Sequence, residues 1–189
     1  MKKYYFLFLL FIPFLSFAQF HLTGTNNNVS SALTKVLQDF PNHFNVIRGT
    51  VINQDVQAVN YTSTVNIAGA DSSIIIQNGS DSDNIYSWRE VVFTAEDFNE
   101  AKQKFHEYFS KIKGTAVNIN NKKISFHADY AAPDDAKRFA TILFTASEKT
   151  PALKNVVIDL SMQYVLSGWQ ISISVYEHID YGVRNDDEQ

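Results

Sequence analysis

Two hydrophobic periods alternate along this chain, and each change of period predicts a change between helix and strand. The first helical period places apolar residues at Val29, Ala32, Leu33, Val36, Leu37 and Phe40. Asn28 precedes this run as a natural N-cap, and Pro41 ends it because proline disfavours helical geometry in the residue before it. The pattern therefore predicts a first helix over residues 29–40.

A second helix is predicted between Thr94 and Gly114. Its apolar stripe consists of Phe98, Ala101, Phe105, Tyr108, Phe109 and Ile112. Thr94 and Asp97 form an approximate capping box, in which Asp replaces the usual Glu. Gly114 is the expected C′ residue, at which the helix ends.

The remaining apolar residues favour strands, since they alternate with polar residues or form short buried runs. Nine such runs lie at residues 45–53, 57–67, 72–77, 85–93, 115–119, 123–130, 139–147, 155–165 and 169–178. In the last run the alternation fails at Tyr176 and Glu177, so this strand is expected to leave the core after Val175. One helical turn is predicted at 133–137, where Pro133 precedes two acidic residues.

These elements predict an α+β fold, with a mainly antiparallel β-sheet of about eight or nine strands covered by two helices. The short connections favour antiparallel neighbours. A Gly-Thr pair follows each helix, at Gly49-Thr50 and at Gly114-Thr115, and each pair leads into strands. Either an α-then-β unit was duplicated or two ordinary helix-to-strand junctions look alike, and both interpretations remain open at this point.

The first 20 residues, MKKYYFLFLLFIPFLSFAQF, do not fit the pattern of the fold. Lys2 and Lys3 precede an apolar run, and the small residues Ser16 and Ala18 occupy the −3 and −1 positions before a cleavage site ahead of Gln19, which is the layout of a secretory signal peptide. The apolar run is too short for a good membrane span. We expect residues 1–18 to be a signal peptide, 19–27 a loose N-terminus, 28–183 a single α+β domain and 184–189 a flexible tail.

This leader resembles the export signals of Bacteroidota-type bacteria, which often end in Ala-Gln after a Phe-rich core. The chain as a whole resembles the small uncharacterised secreted proteins of those organisms. The resemblance implies an exported protein, in the periplasm or secreted, and it carries no catalytic residue across.

The charge balance and the absence of cysteine limit the kinds of partner and chemistry that this chain can have. Removal of Lys2 and Lys3 with the leader leaves 14 basic and 20 acidic residues, a formal charge of about −6, and no basic patch that would suit a nucleic acid is visible. The chain has no Cys, which excludes disulfides, a lipid anchor and thiol chemistry. After leader cleavage we therefore expect a soluble protein that does not associate with a membrane.

The spacing of histidine and acidic residues does not match a known metal-binding motif. The five histidines are His21, His43, His106, His127 and His178, and none lies two to four residues from another. His127 and Asp129 share a strand face, but a surface His beside a solvated Asp is the favoured interpretation. Asp81, Asp83 and Asn84 supply oxygen ligands in an order that does not match an EF-hand, so a solvated turn is favoured. We predict no metal and no cofactor.

Catalytic motifs are also missing from the sequence, which contains no G-x-S-x-G elbow and no Gly-rich phosphate loop. Glu90 is a lone carboxylate in a strand without an acidic partner. We assign no catalytic residue. The candidate ligand-binding residues are Tyr86, Trp88 and Trp169, whose rings could stack in a carbohydrate or peptide groove, although aromatics also fill the space between a sheet and its helices.

Three hypotheses for function follow. The leading one is a non-enzymatic binding or interaction module of the bacterial envelope, which takes a protein partner or a small ligand and exposes an apolar patch or concave pocket near its Trp and Tyr residues. The second is a hydrolase whose site joins His127 or His106 to a distant carboxylate and Ser. The third is a structural accessory subunit, which would show an unpaired sheet edge or a flat apolar face and little pocket.

Overall fold

The computed structural model describes residues 29–79, 84–148, 150–153, 155–166 and 168–178. The predicted leader, the loose N-terminus, the N-cap Asn28 and the flexible tail lie outside these residues. Within the described ranges, neither helix has the length and apolar character that a membrane span requires.

Nine strands form one antiparallel sheet, which confirms the predicted α+β class. The strands are β1 (Arg48–Gln54), β2 (Ala58–Ser63), β3 (Ser72–Asn78), β4 (Ile85–Ala95), β5 (Ala116–Ile119), β6 (Lys122–His127), β7 (Phe139–Ala146), β8 (Val156–Val165) and β9 (Gly168–Glu177). Their order across the sheet is β1-β2-β3-β4-β9-β8-β7-β6-β5. The edges of the sheet are therefore β1 and the short β5.

Two helices, α1 (Val29–Asp39) and α2 (Phe98–Lys113), cover one face of the sheet. The buried side of α2 consists of Ala101, Phe105, Phe109 and Ile112, as the apolar stripe predicts, and this helix packs across β4, β6, β8 and β9. α1 contacts β5 and α2. The side chains of Trp88, Ile158 and Ile173, which face the helices from the central strands, are fully buried. Each such side chain stabilises the fold by about 1.5–3 kcal/mol through apolar burial.

The strand order separates the chain into two antiparallel meanders. β1–β4 follow α1 and β5–β9 follow α2, and the two groups meet where β4 pairs with β9. The two Gly-Thr pairs nevertheless have different local roles. Gly49 lies in β1, where a Cβ would collide with the Thr62 side chain, whereas Gly114 ends α2 at an ordinary φ of −78°. Duplication of an α-then-β unit stays a prediction.

The start of α2 corrects one local prediction. The N-cap is Asp97, whose Oδ1 accepts a hydrogen bond of 2.8 Å from the Glu100 backbone N–H. Thr94 does not cap the helix, because β4 continues through Ala95; the Thr94 hydroxyl instead donates to Asp71 Oδ2 at 3.0 Å. The capping-box prediction was therefore wrong in its first residue, since the strand before the helix is longer than its apolar pattern suggests.

Strand boundaries also differ from the predicted ones in the first half of the chain. The run predicted over 57–67 pairs only as far as Ser63, yet Val65 and Ile67 beyond it remain 5% and 4% exposed. Because these residues leave the ladder and still enter the core, the segment between β2 and β3 covers part of the inner face. The turn predicted at 133–137 is a 3₁₀ turn over Asp135–Lys137, with Asp134 as its N-cap.

Candidate ligand-binding cleft

A cleft of about 300 Å³ lies at the end of the sheet where β4 begins and β9 ends. Three segments form its walls: the 3₁₀ turn Phe40–Asn42 and the residues after it, the start of β4, and the chain before β8 together with Glu177. We call it the Tyr86 cleft, after the aromatic residue on its central wall. Its volume is at the lower end of the range for small-molecule sites.

The first wall is held by a buried carboxylate that the sequence pattern does not reveal. Asp39, at the end of α1, is 7% exposed, and its Oδ2 accepts hydrogen bonds from the backbone N–H groups of Val46 and Ile47 at 2.8 and 3.0 Å. These bonds tie the turn after α1 into a tight loop. In that loop His43 and Phe44 both adopt positive φ, 53° and 56°, a conformation that is uncommon for residues other than glycine. The loop brings His43 to the cleft and places Phe44 in the core.

The central wall is Tyr86, which is half-buried on the helix-facing side of β4. Its ring lies 5.3 Å from the His43 ring, and the Arg48 guanidinium carbon lies 5.3 Å from its centroid and 5.0 Å from that of Tyr61. Arg48 is held in place by a hydrogen bond of 2.6 Å from its Nη2 to Asn45 Oδ1. The ring of Tyr86 is thus fixed by ring and cation–π contacts.

The third wall carries the charge of the cleft. Asn155 Nδ2 donates to Glu177 Oε1 at 3.3 Å, and the Asn155 carbonyl accepts a hydrogen bond of 2.7 Å from the His178 N–H. The side chains of Asn155 and Glu177 are both exposed. Together with His43 and Tyr86 they offer hydrogen-bond donors and acceptors to a molecule in the cleft.

The three residues predicted to bind ligand occupy different environments. Tyr86 lines the cleft. Trp88, two residues further along β4, is fully buried and donates from Nε1 to Ser63 Oγ at 3.1 Å. Trp169 is 4% exposed and pairs with Ala95 near the other end of β4. The structure therefore brings Tyr86 and Trp88 close together but places Trp169 far from them, and both tryptophan rings lie in the core.

Sequence reasoning did not select His43, Asn155 or Glu177 for this site. One usable signal was present, because Glu177 interrupts the alternation of the last strand. The predicted departure from the core is confirmed: Val175 is fully buried, whereas Glu177 is exposed. A break in alternation that ends with a charged residue marks a strand end that reaches the surface, and here that end borders a cleft.

The remaining candidates for metal or catalytic chemistry lie elsewhere. His127 is exposed on β6, with Nε2 3.3 Å from Thr145 Oγ1, and the ring of His106 on α2 lies 4.9 Å from that of Tyr130. Neither histidine lines the Tyr86 cleft. Among the described residues, no group of three or more His, Asp or Glu side chains is placed to hold a metal ion. Asp81 and Asp83 lie outside the described residues, and Asn84 lines the cleft.

Glu90 is the unusual carboxylate of the sheet centre. It is fully buried on β4, opposite Ile173 of β9. Its Oε1 accepts a hydrogen bond of 2.7 Å from the Ile67 N–H, and its Oε2 has no hydrogen-bond partner among the described residues. Burial raises the pKa of Glu90 to about 8, against the smaller opposing effect of the Ile67 hydrogen bond. At neutral pH this side chain is therefore mostly protonated, and it does not line the Tyr86 cleft.

Comparison with known proteins adds no relative. No protein-family model matches the chain, and searches of curated proteins and of solved structures found no significant match. A proposal for function therefore rests on the fold and the cleft.

Proposed function

We propose that this chain is an exported, soluble protein of the bacterial envelope that binds a small ligand in the Tyr86 cleft without transforming it. The observation that carries the proposal is the cleft itself, in which a fixed aromatic side chain stands beside exposed hydrogen-bonding groups. Binding sites commonly combine an apolar wall with a few polar groups that orient the ligand.

The chemistry of the cleft favours binding over hydrolysis. The lining residues that the structure describes include no Ser, Thr or Lys side chain, and Glu177 is the one carboxylate among them, whereas glycoside hydrolysis commonly uses a pair of carboxylates. The His43 ring packs against the Tyr86 ring, and among the described residues it makes no hydrogen bond to a hydroxyl group that it could activate. These features support a site that recognises its ligand by shape and hydrogen bonds.

A structural accessory subunit is the second candidate, and the exposed edge strand β1 favours it. Val51 and Ile52 on this edge are 55% and 53% exposed. However, the register of β1 against β2 shifts twice between Arg48 and Asn53. Such irregularities bend an edge strand and hinder pairing with another chain. We therefore assign the primary function to the cleft.

Nuclear magnetic resonance on the mature chain, residues 19–189, tests the binding proposal. Neutral monosaccharides, free amino acids and simple amines would be titrated one at a time into ¹⁵N-labelled protein. We expect at least one probe to shift the backbone signals of His43, Tyr86 and Asn155 together. If no probe perturbs these residues, the cleft is not a binding site for small ligands of these kinds and the proposal fails.

Two variants locate the binding. Tyr86→Ala removes the central wall and is expected to weaken binding of the responding probe by about three- to ten-fold, since an aromatic contact contributes about 0.5–1.5 kcal/mol. Tyr130→Ala is the matched control, because its ring is 36% exposed and contacts His106 and Phe109 instead of the cleft. Equal affinity for Tyr86→Ala and the unaltered protein would contradict the proposal.

Export is tested separately in the native host. The intact mass of the protein recovered from periplasm or culture medium is expected to match a chain that begins at Gln19. Recovery of the full-length chain from the cytoplasm, with the leader intact, would overturn the export part of the proposal and leave the binding part unaffected.

A further inference from the structure

We propose that the ligand of the Tyr86 cleft is a neutral, hydroxyl-rich ring, of the class of a monosaccharide unit. This inference rests on the proposed binding function and adds the class of ligand to it. Three features of the cleft support it: the balance of charge around Tyr86, the mixed donors and acceptors of the polar side chains, and the apolar surface that faces them.

The charges around the cleft disfavour a ligand with net charge of either sign. A cation placed against Tyr86 would meet the Arg48 guanidinium, whose carbon already lies 5.3 Å from the ring centroid. Glu177 lies beside Tyr86 on the neighbouring strand, because Ser87 of β4 pairs with Tyr176 of β9, so its carboxylate would repel an anion placed there. Like charges at short range repel, and the effect is larger in a partly enclosed site than in bulk water. A charged ligand would thus be attracted by one of these two groups and repelled by the other, so its charge gains little to offset the cost of leaving water. A neutral ligand avoids that cost.

The polar groups of the cleft suit hydroxyl groups, which donate and accept hydrogen bonds at the same time. Asn155 uses one amide proton for Glu177, so its other proton and its Oδ1 remain for a ligand. The Glu177 carboxylate accepts hydrogen bonds only, whereas the amide of Asn84 and the phenol of Tyr86 can do both. Adjacent acceptor and donor groups of this kind match neighbouring hydroxyls on a ring.

The cleft also has an apolar side, which suits the C–H face of a sugar ring. Phe40 is half-buried and packs edge-on against Phe44, with ring centroids 5.8 Å apart, and Pro151 and Ala152 line the wall across from them. A monosaccharide ring has one edge of hydroxyl groups and a face of C–H groups, so it can meet both kinds of surface at once. The cleft volume of about 300 Å³ suits a ligand of one sugar ring.

Three probes of the same ring and different charge test the class directly. Glucose, glucosamine and glucuronate would be titrated into the mature chain at pH 7, with affinity read from the shifts of Tyr86 and Asn155. We expect glucose to bind at least three-fold more tightly than either charged analogue. Tighter binding of glucosamine or glucuronate would overturn the neutral class. If amino acids or simple amines shift the cleft residues while none of the three sugars does, the sugar class is wrong and the binding function stands.

A charge-neutral variant separates the contribution of Glu177. Glu177→Gln is expected to weaken glucose binding by about three- to ten-fold, because a charge-assisted hydrogen bond becomes a neutral one, and to strengthen glucuronate binding, because the repulsion disappears. Glu100→Gln makes the same charge change in the first turn of α2, outside the cleft lining, and should alter neither affinity. Parallel changes for both sugars in Glu177→Gln would contradict the proposed role of the carboxylate.

Discussion

Two neighbouring regions of the sheet, the centre beneath α2 and the end that forms the Tyr86 cleft, differ in what covers them. At the centre, Trp88 and Ile173 are fully buried beneath the helix layer. At the end of the sheet, α1 has already stopped at Asp39, and a short turn replaces the helix. Tyr86 and Trp88 are two residues apart on one strand, yet the first lines a cleft and the second lies in the core. The aromatic residue beneath the helix layer is therefore buried, whereas the one beside the turn after α1 borders a cleft.

Two carboxylates on paired strands show the same contrast. Glu90 at the centre is fully buried, and burial raises its pKa to about 8. Glu177 at the end of β9 is exposed and accepts a hydrogen bond from the Asn155 amide. Removing a carboxylate from water penalises its charged form, so burial favours the protonated form of Glu90. At the centre of the sheet Glu90 is therefore a neutral group within the core, whereas Glu177 places a carboxylate at the cleft.

The largest expected effect compares the two aromatic residues of β4. Trp88→Ala should lower the free energy of unfolding by about 3–5 kcal/mol, because it leaves a cavity in the core and removes the hydrogen bond from the Trp88 Nε1 to Ser63 Oγ. Tyr86→Ala should cost about 1 kcal/mol, since its ring is only half-buried. Urea unfolding of the two variants at pH 7 measures the difference. Equal losses would show that the cleft wall is part of the core.

A second prediction compares how the free energy of unfolding depends on pH through the buried Glu90 and through a surface carboxylate. The pKa of Glu90 is raised from 4.5 to about 8 in the folded protein, so its contribution to stability is fully present below pH 4.5 and is lost as the pH rises through 8. Between these values the loss is about 1.4 kcal/mol per pH unit. Relative to Glu90→Gln, the unaltered protein should therefore become progressively less stable from pH 5 to 8, as measured by urea unfolding.

Glu107→Gln is the control for this pH series. Hydrogen bonds from Lys111 and Lys104 lower the pKa of Glu107, and its side chain is 42% exposed. Its stabilising effect is present above the unfolded pKa and is lost only as the pH falls through the lowered value. No relative change between pH 5 and 8 is expected in this variant. A flat difference between the unaltered protein and Glu90→Gln over the same range would show that Glu90 titrates normally.

The smallest effect concerns the helix that covers the centre. Asp97→Ala should destabilise the protein by about 1 kcal/mol, because the Glu100 N–H at the start of α2 loses its acceptor. Thr94→Ala should cost less, since the Thr94 hydroxyl bonds only to the exposed Asp71 carboxylate. Thermal unfolding of both variants gives the order. A larger loss for Thr94→Ala would restore the capping box suggested by the sequence.

Local patterns predicted most of the elements because they depend on neighbouring residues. The stripe of α2 reappears as its buried face, and the broken alternation at Glu177 marks the end of β9. The errors lie where a distant residue intervenes. Thr94 belongs to β4 because that strand continues to pair with β9 as far as Trp169. Val65 and Ile67 are buried although they are outside the ladder, and no local period signals that burial.

The sequence predicted fewer residues of the candidate site than of the fold. Tyr86 was selected for its aromatic ring, but its accessibility depends on where α1 ends and on the loop held by Asp39. His43, Tyr86 and Glu177 lie in three segments that are far apart in the chain, and only the strand order brings them to one end of the sheet. Spacing along the chain carries no information about such contacts.

The sequence by itself determined the helical and strand periods, the α+β class and the pattern of a leader, because each follows from the order of residues within one segment. The tertiary structure alone decided that β9 returns beside β4, that Glu90 is buried and that Tyr86 borders a cleft while Trp88 does not. Burial and proximity are properties of packed segments, so they arise only when the two meanders join beneath their helices.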